Sequence, residues 1–181
     1  MLAYKGFEQG LTCRGYQFSM GLNVTDRANC RACGFHCAAN PLDCLWHYPD
    51  IAHSEYYLVD AGGDLDEDNI DSKISCTELT ILRKLDAEQL ILHGLAYMVD
   101  HPLLPWSSEV KRNCAAACNG YAIVRGLEPA ARGKVGDILA LAKENASGTK
   151  IERIGLACVD GIKILPDVWY GVDWKVRNGV R

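Results

Sequence analysis

Apolar and polar positions change their period along this chain. Three alternating runs open it, at residues 2–7, 12–18 and 21–25, with Gly10 and Gly15 as punctuation. A period of two predicts half-buried strands. Asn40-Pro41 reads as an N-cap followed by the first helical residue, so a short helix is expected over 42–48, stopped by Pro49. The aromatic and β-branched stretch SEYYLVDA at 54–61 predicts a strand ended by Gly62-Gly63, followed by an acidic loop over 64–71 and a strand over 74–82. Asp86 with Gln89 three residues on forms a capping-box pattern. Leu90, Ile91, Leu95, Met98 and Val99 then recur at helical spacing, which predicts a helix over 87–100. Proline-bounded residues 102–106 read as a connector. Beyond it, strands are expected at 121–125, 137–143 and 151–159. Asp160-Gly161 between apolar runs predicts a two-residue hairpin turn joining 156–159 to 162–165.

These elements add up to an α+β protein of mixed, mainly antiparallel sheets with two to three helices. An N-terminal α+β domain is expected over 1–105 and a β-rich C-terminal part over 106–181. At 181 residues the chain is long enough to bury a core without staples. Its apolar runs fall short of the ~20 residues of a membrane helix, and its opening residues lack the pattern of a secretory signal. No membrane partner is therefore expected. Nine cysteines in such a chain point to reduced thiols and a cytoplasmic setting, several of them acting as small buried hydrophobes.

Charge is uneven. Residues 1–110 carry 7 Lys/Arg against 16 Asp/Glu, a net of −9, while residues 111–181 carry 12 against 7, a net of +5. Opposite signs of this kind suit attraction within the chain, a homodimer, or one sign presented to each partner. Asp60, Asp64, Asp66, Glu67, Asp68 and Asp71 form an acidic stretch that is a candidate decoy surface for a basic groove. Lys111, Arg112, Arg125, Arg132 and Lys134 are candidate nucleic-acid contacts, with Tyr121, Trp169, Tyr170 and Trp174 available for stacking.

Cys30, Cys33, His36 and Cys37 have zinc-like spacing, and Cys44 and His47 follow, but a second complete ligand pair is missing. Buried structural thiols are the better reading, so neither a metal nor another cofactor is expected. The acidic stretch begins like a calcium loop, yet its sixth position is Asn69 and its twelfth Ser75. Nucleophile-elbow, P-loop and dinucleotide fingerprints are absent. The reading is a binding protein without catalytic residues.

Tyr4-Lys5-Gly6-Phe7, Cys13-Arg14-Gly15-Tyr16-Gln17-Phe18, Gly34-Phe35-His36 and Asn40-Pro41-Leu42-Asp43 resemble a family of phage and prophage proteins reading CRGFQY, then GFHAC.NPLD, then a Tyr-rich strand. Val159-Asp160-Gly161-Ile162-Lys163 through Pro166-Asp167-Val168-Trp169-Tyr170 is similar to that family's VDGKKIKPDTWY ending. Two departures stand out: a Gly-Ala repeat tract has shrunk to residues 114–126, and Cys37 directly follows His36. The resemblance implies a phage setting and a counter-defence role, as in type II anti-CRISPR inhibitors. The implied partner is a bacterial RNA-guided nuclease, with or without its guide RNA, in the cytoplasm of the infected host. A fainter similarity, in Tyr4-Lys5-Gly6, Gly34-Phe35-His36 and Tyr56-Tyr57-Leu58-Val59, is to the ADP-ribosyltransferase core. Lys5 stands where that family has Arg or His, and Glu78 is the nearest counterpart of its terminal-strand Glu, which implies lost catalysis. The remaining alternative is a small zinc-binding or nucleic-acid-binding phage accessory protein.

Overall fold

The computed structural model describes residues 1–67 and 72–180. Among them the chain is strand-rich, with one antiparallel sheet, one sheet of mixed direction and two helices, more β in character than an even α+β mixture. It forms two compact units, Met1–Leu90 and Ile91–Arg181. The division falls ahead of the 102–106 connector.

The first unit contains β1 (Leu2–Glu8), β2 (Thr12–Cys13), β3 (Tyr16–Gln17), β4 (Gly21–Val24), β5 (Phe35–Ala38), α1 (Asp43–His47), β6 (Ser54–Glu67) and β7 (Lys73–Leu85). Strand β1 pairs with β6 from Leu2↔Asp60 to Glu8↔Ser54, and β6 pairs with β7 as a long hairpin. Strand β5 pairs with β7 over Phe35↔Cys76 to Ala38↔Lys73 and touches β1 at Tyr4↔Ala38. The pairings β1–β6–β7–β5–β1 therefore close into a ring, which removes most free edges. The inward face carries Ala3 and Phe7 of β1, Tyr57, Val59 and Ala61 of β6, and Phe35 and Cys37 of β5. Phe7 meets Phe18 and Tyr57 edge-to-face, with centroids 5.2 and 5.5 Å apart. Burying each such side chain contributes about 1.5–3 kcal/mol.

Two expectations change here. The acidic stretch does not begin as a loop: β6 continues to Glu67, because Gly62-Gly63 forms a bulge instead of a turn. Gly63 has φ +67°, and a Cβ there would collide with Thr77. The Asp64 amide donates to Thr77 Oγ1 (2.8 Å), which holds the extra residue in place. Along β7 the core positions pass from Ile74 and Cys76 to Leu79 and Ile81, an odd-numbered step that alternation alone misses. The run 12–18 is a tight hairpin, β2 against β3, turned at Arg14-Gly15. The expected cap at Asn40 shifts: α1 has Leu42 at its N-cap without a side-chain cap bond, while Asn40 Oδ1 accepts the Leu42 amide at 3.1 Å in the turn leading into the helix.

Helix α2 (Ala87–Asp100) opens with the anticipated reciprocal cap. The Gln89 amide donates to Asp86 Oδ1 (2.7 Å) and the Asp86 amide donates to Gln89 Oε1 (3.1 Å).

The second unit contains β8 (Val110–Ala116), β9 (Tyr121–Arg132), β10 (Ile138–Glu144), β11 (Ile151–Cys158) and β12 (Tyr170–Gly171). Strand β9 runs parallel to both β8 and β10, with Val110 opposite Ile123 and Ile123 opposite Ala140. Parallel neighbours need a dozen or more residues between paired positions. Here the connections are too short for a helix, so the strands themselves bend. Strand β8 turns a corner at Asn113 (φ +65°), where its register against β9 jumps from Arg112↔Arg125 to Cys114↔Ala130. The chain thus winds as a short coil, closed by antiparallel β11 on β10 and by β12 on the far end of β9. Small interior side chains, Ala122, Ala131 and Ala115, fit this winding beside Leu139 and Leu141.

The Asp160-Gly161 hairpin does not form. Asp160 Oδ1 accepts the amides of Ile162, Lys163 and Ile164 at 2.8–2.9 Å, tying residues 160–164 into a loop. A short carboxylate bonding its own neighbours' amides competes with strand pairing.

Candidate functional site

The β6–β7 arm beyond the bulge carries the acidic stretch. Asp64 and Glu67 are exposed along β6, with Leu65 between them also exposed. Asp66 is partly used for structure: its Oδ2 accepts the Cys30 amide (2.7 Å), and its carbonyl oxygen accepts the Cys30 thiol (2.7 Å). Asp60 accepts the Met1 ammonium at 2.6 Å. Asp68 and Asp71 lie outside the described residues. Of the acidic set, Asp64 and Glu67 are therefore the described members turned to solvent without such a structural bond.

The four zinc-spaced residues face different ways. Cys30 is buried against Asp66, whereas Cys33 is exposed. The Cys33 carbonyl accepts the buried Ser75 hydroxyl (2.8 Å), which pins the turn. His36 Nε2 faces the Asn29 carbonyl at 3.4 Å, and burial holds its imidazole below the usual range. Cys37 points into the core against Cys76, whose thiol hydrogen bond, together with burial, pushes the Cys37 thiol up. Burial also pushes Cys44 up to about 12. Among the described residues no group of three or more His, Cys, Asp or Glu side chains converges as a metal cluster.

A constellation that the sequence reading passed over sits on β1. Lys5 lies on the inward face between Ala3 and Phe7 and is only 5% exposed. Its ammonium donates to the His36 carbonyl (2.7 Å) and faces Cys13 Sγ at 3.7 Å. It also lies 5.0 Å from the Phe7 ring centroid and 5.3 Å from that of Phe18. The Tyr48 hydroxyl donates to the same sulfur at 3.1 Å, and burial, reinforced by that thiol, pushes the phenol up so that it stays a donor. Cys13 itself is half-buried. The available signal was the alternation Ala3-Lys5-Phe7, which puts a lysine among core positions.

In the second unit the basic set divides. Arg125 is 2% exposed: its Nε donates to Glu144 Oε1 (2.7 Å) and its Nη2 to the Pro102 carbonyl (2.6 Å). Burial with these partners removes it from the candidate nucleic-acid contacts, because its donors already have acceptors inside the unit. Two guanidinium groups approach the Trp106 ring, Arg112 at 4.5 Å and Arg125 at 4.6 Å from its centroid. Arg132 stacks on Trp169 at 4.9 Å, while Lys111 and Lys134 are exposed.

Taken together, these features define a strand-rich chain of two units, one a ring of antiparallel strands with an acidic arm, the other a short coil. No helix among the described residues is long and apolar enough to cross a membrane, which says nothing of a β-barrel. Residues 1–93, just over half of the chain, match the family described as a domain of unknown function (DUF7666), and the chain belongs to that family. No curated protein and no solved structure matches it.

Proposed function

We propose that this chain is a non-enzymatic, phage-derived binding protein that inhibits a bacterial defence nuclease by direct contact. The nuclease is a type II CRISPR RNA-guided enzyme in the host cytoplasm, engaged with or without its guide RNA. The observation that carries this reading is the acidic arm, where Asp64 and Glu67 stand exposed on an ordered strand. Carboxylates fixed on a strand lose little conformational freedom on binding, and they complement a basic groove built for phosphates. The phage resemblance of the sequence supports the choice of partner.

A cleavage assay with purified nuclease, guide and target tests it. Dose-dependent loss of cutting is expected. Asp64→Ser with Glu67→Ser should weaken inhibition about tenfold, or about 1.4 kcal/mol, while Cys30→Ala with Cys33→Ala should change it less. Unchanged cutting at saturating protein would refute the reading. Label transferred from NAD to any protein would point instead to the ADP-ribosyltransferase alternative.

A further inference from the structure

A buried ammonium needs a compensating partner, because an unpaired interior charge is costly. Lys5 has none of the usual ones, since no carboxylate among the described residues forms an ion pair with it. Its contacts are one carbonyl oxygen, two aromatic faces and the sulfur of Cys13. Cys13 is in turn set apart from the other thiols near it. Cys30 and Cys76 donate to backbone carbonyls, and Cys37, Cys44 and Cys76 are buried. Cys13 is half-buried, so small solutes reach it, and its sulfur faces two donors, the Lys5 ammonium and the Tyr48 hydroxyl. The same two donors match an oxygen placed on that sulfur.

We infer that Cys13 and Lys5 form a peroxide-responsive modification site at which a covalent sulfur–nitrogen bond ties the β2–β3 hairpin to β1. In the first step the Cys13 sulfur attacks a peroxide oxygen. The O–O bond breaks, an S–O bond forms, the thiol proton passes to the departing oxygen, sulfur is oxidised by two electrons and the peroxide is reduced to water or an alcohol. The product is a sulfenic acid, the reversible stage of cysteine oxidation. In the second step Lys5 Nζ, 3.7 Å away, gives up one proton to solvent and attacks that sulfur with the freed lone pair. An S–N bond forms and the S–O bond breaks. Of the ammonium's three protons, one stays on nitrogen, one leaves in the water formed with the displaced hydroxyl, and one goes to solvent. The starting separation is just beyond the ~3–3.5 Å of a near-attack arrangement, so a small rotation of the lysine stem brings the atoms together. A thiol reductant reverses the bond.

The test uses the full chain treated with hydrogen peroxide, digested with trypsin without reduction, and mapped by mass spectrometry with a 1,3-diketone trap for sulfenic acids. Trypsin ordinarily cuts after Lys5 and Arg14. A Lys5–Cys13 bond blocks the first cut. The segment from Met1 to Arg14 should then appear whole, lighter by two hydrogens, and should disappear on reduction. Lys5→Arg should abolish that species and leave Cys13 labelled by the diketone. Tyr48→Phe should slow oxidation of Cys13 about fivefold, the equivalent of one net hydrogen bond. The wild-type map needs no variant to fold and decides the matter alone. The inference is overturned if Cys13 stays reduced while the exposed Cys33 and Cys118 oxidise. It is equally overturned if Cys13 accumulates diketone label or a disulfide with Lys5 left free.

Discussion

Replacing Gly6 by alanine tests how α1 is seated on β1. Glycine inside a strand is itself unfavourable by about 0.5–1 kcal/mol relative to alanine, so without neighbours the change would stabilise. The Tyr48 ring decides the sign. A Cβ on Gly6 would stand 2.8 Å from Tyr48 Cγ and 3.1 Å from Cε2, and nearer still to Cδ2. Overpacking of this kind costs about 1–3 kcal/mol. Displacing Tyr48 also disturbs two hydrogen bonds, its hydroxyl to Cys13 (3.1 Å) and the Tyr56 hydroxyl to its carbonyl oxygen (2.5 Å). Each is worth about 1 kcal/mol net. Set against the intrinsic gain, the net destabilisation is about 1–4 kcal/mol. Urea denaturation monitored by tryptophan fluorescence measures it, with Gly6→Ala placed in wild-type and Tyr48→Ala backgrounds as a double-mutant cycle. Without the ring, the alanine should become neutral or stabilising. If Gly6→Ala were as stable as wild type, or its loss persisted undiminished without Tyr48, the account of this contact would be refuted.

Three further outcomes are expected. Glu144→Ala strands the Arg125 guanidinium inside the second unit and should cost about 3–5 kcal/mol, whereas Arg125→Met combined with Glu144→Leu should recover most of that loss in thermal denaturation. Glu55 accepts the Lys84 ammonium and the amides of Gly10 and Leu11, the lysine bond first among the causes that hold its carboxyl below the usual range. Its stabilising contribution is therefore complete above the unfolded value of about 4.3 and lost as pH falls through the folded one. Glu55→Gln should lie below wild type in stability near neutrality, and the two acid titrations should converge at low pH. Asp160→Ala removes the acceptor of three amides and should loosen residues 160–164, seen as faster hydrogen exchange there; unchanged exchange would speak against the loop account.

Much of the first unit was legible because its signals are local. The alternation of β1, the Asn40-Pro41 entry to α1 and the Asp86–Gln89 box each specify their element within a few residues. What stayed hidden depends on partners distant in sequence. The bulge at Gly62-Gly63 resembles a strand end until Thr77 is seen to bond the Asp64 amide. Lys5 shares the parity of Ala3 and Phe7, but its partners Cys13, His36 and Tyr48 of that cluster come together only when the strands close. Asp160-Gly161 has the letters of a hairpin, yet the carboxylate satisfies the amides that a returning strand would need. Strand β8 was missed because Lys111, Arg112 and Asn113 show no apolar period, and the parallel coil it begins repeats its register without repeating its letters. Asp64 and Glu67 were legible as charge, though not as strand residues.

The coil of the second unit carries a consequence for how such a chain varies in length. Its stability accrues from one rung stacked on the next. Inserting a complete rung ahead of Val110 would extend the stack and leave the pairings of β8 to β12 in place, while displacing the contacts of Pro102 and Trp106 with Arg125. A single residue inserted within β9 would instead turn all later side chains inside out, so tolerated length changes should come in whole-rung steps.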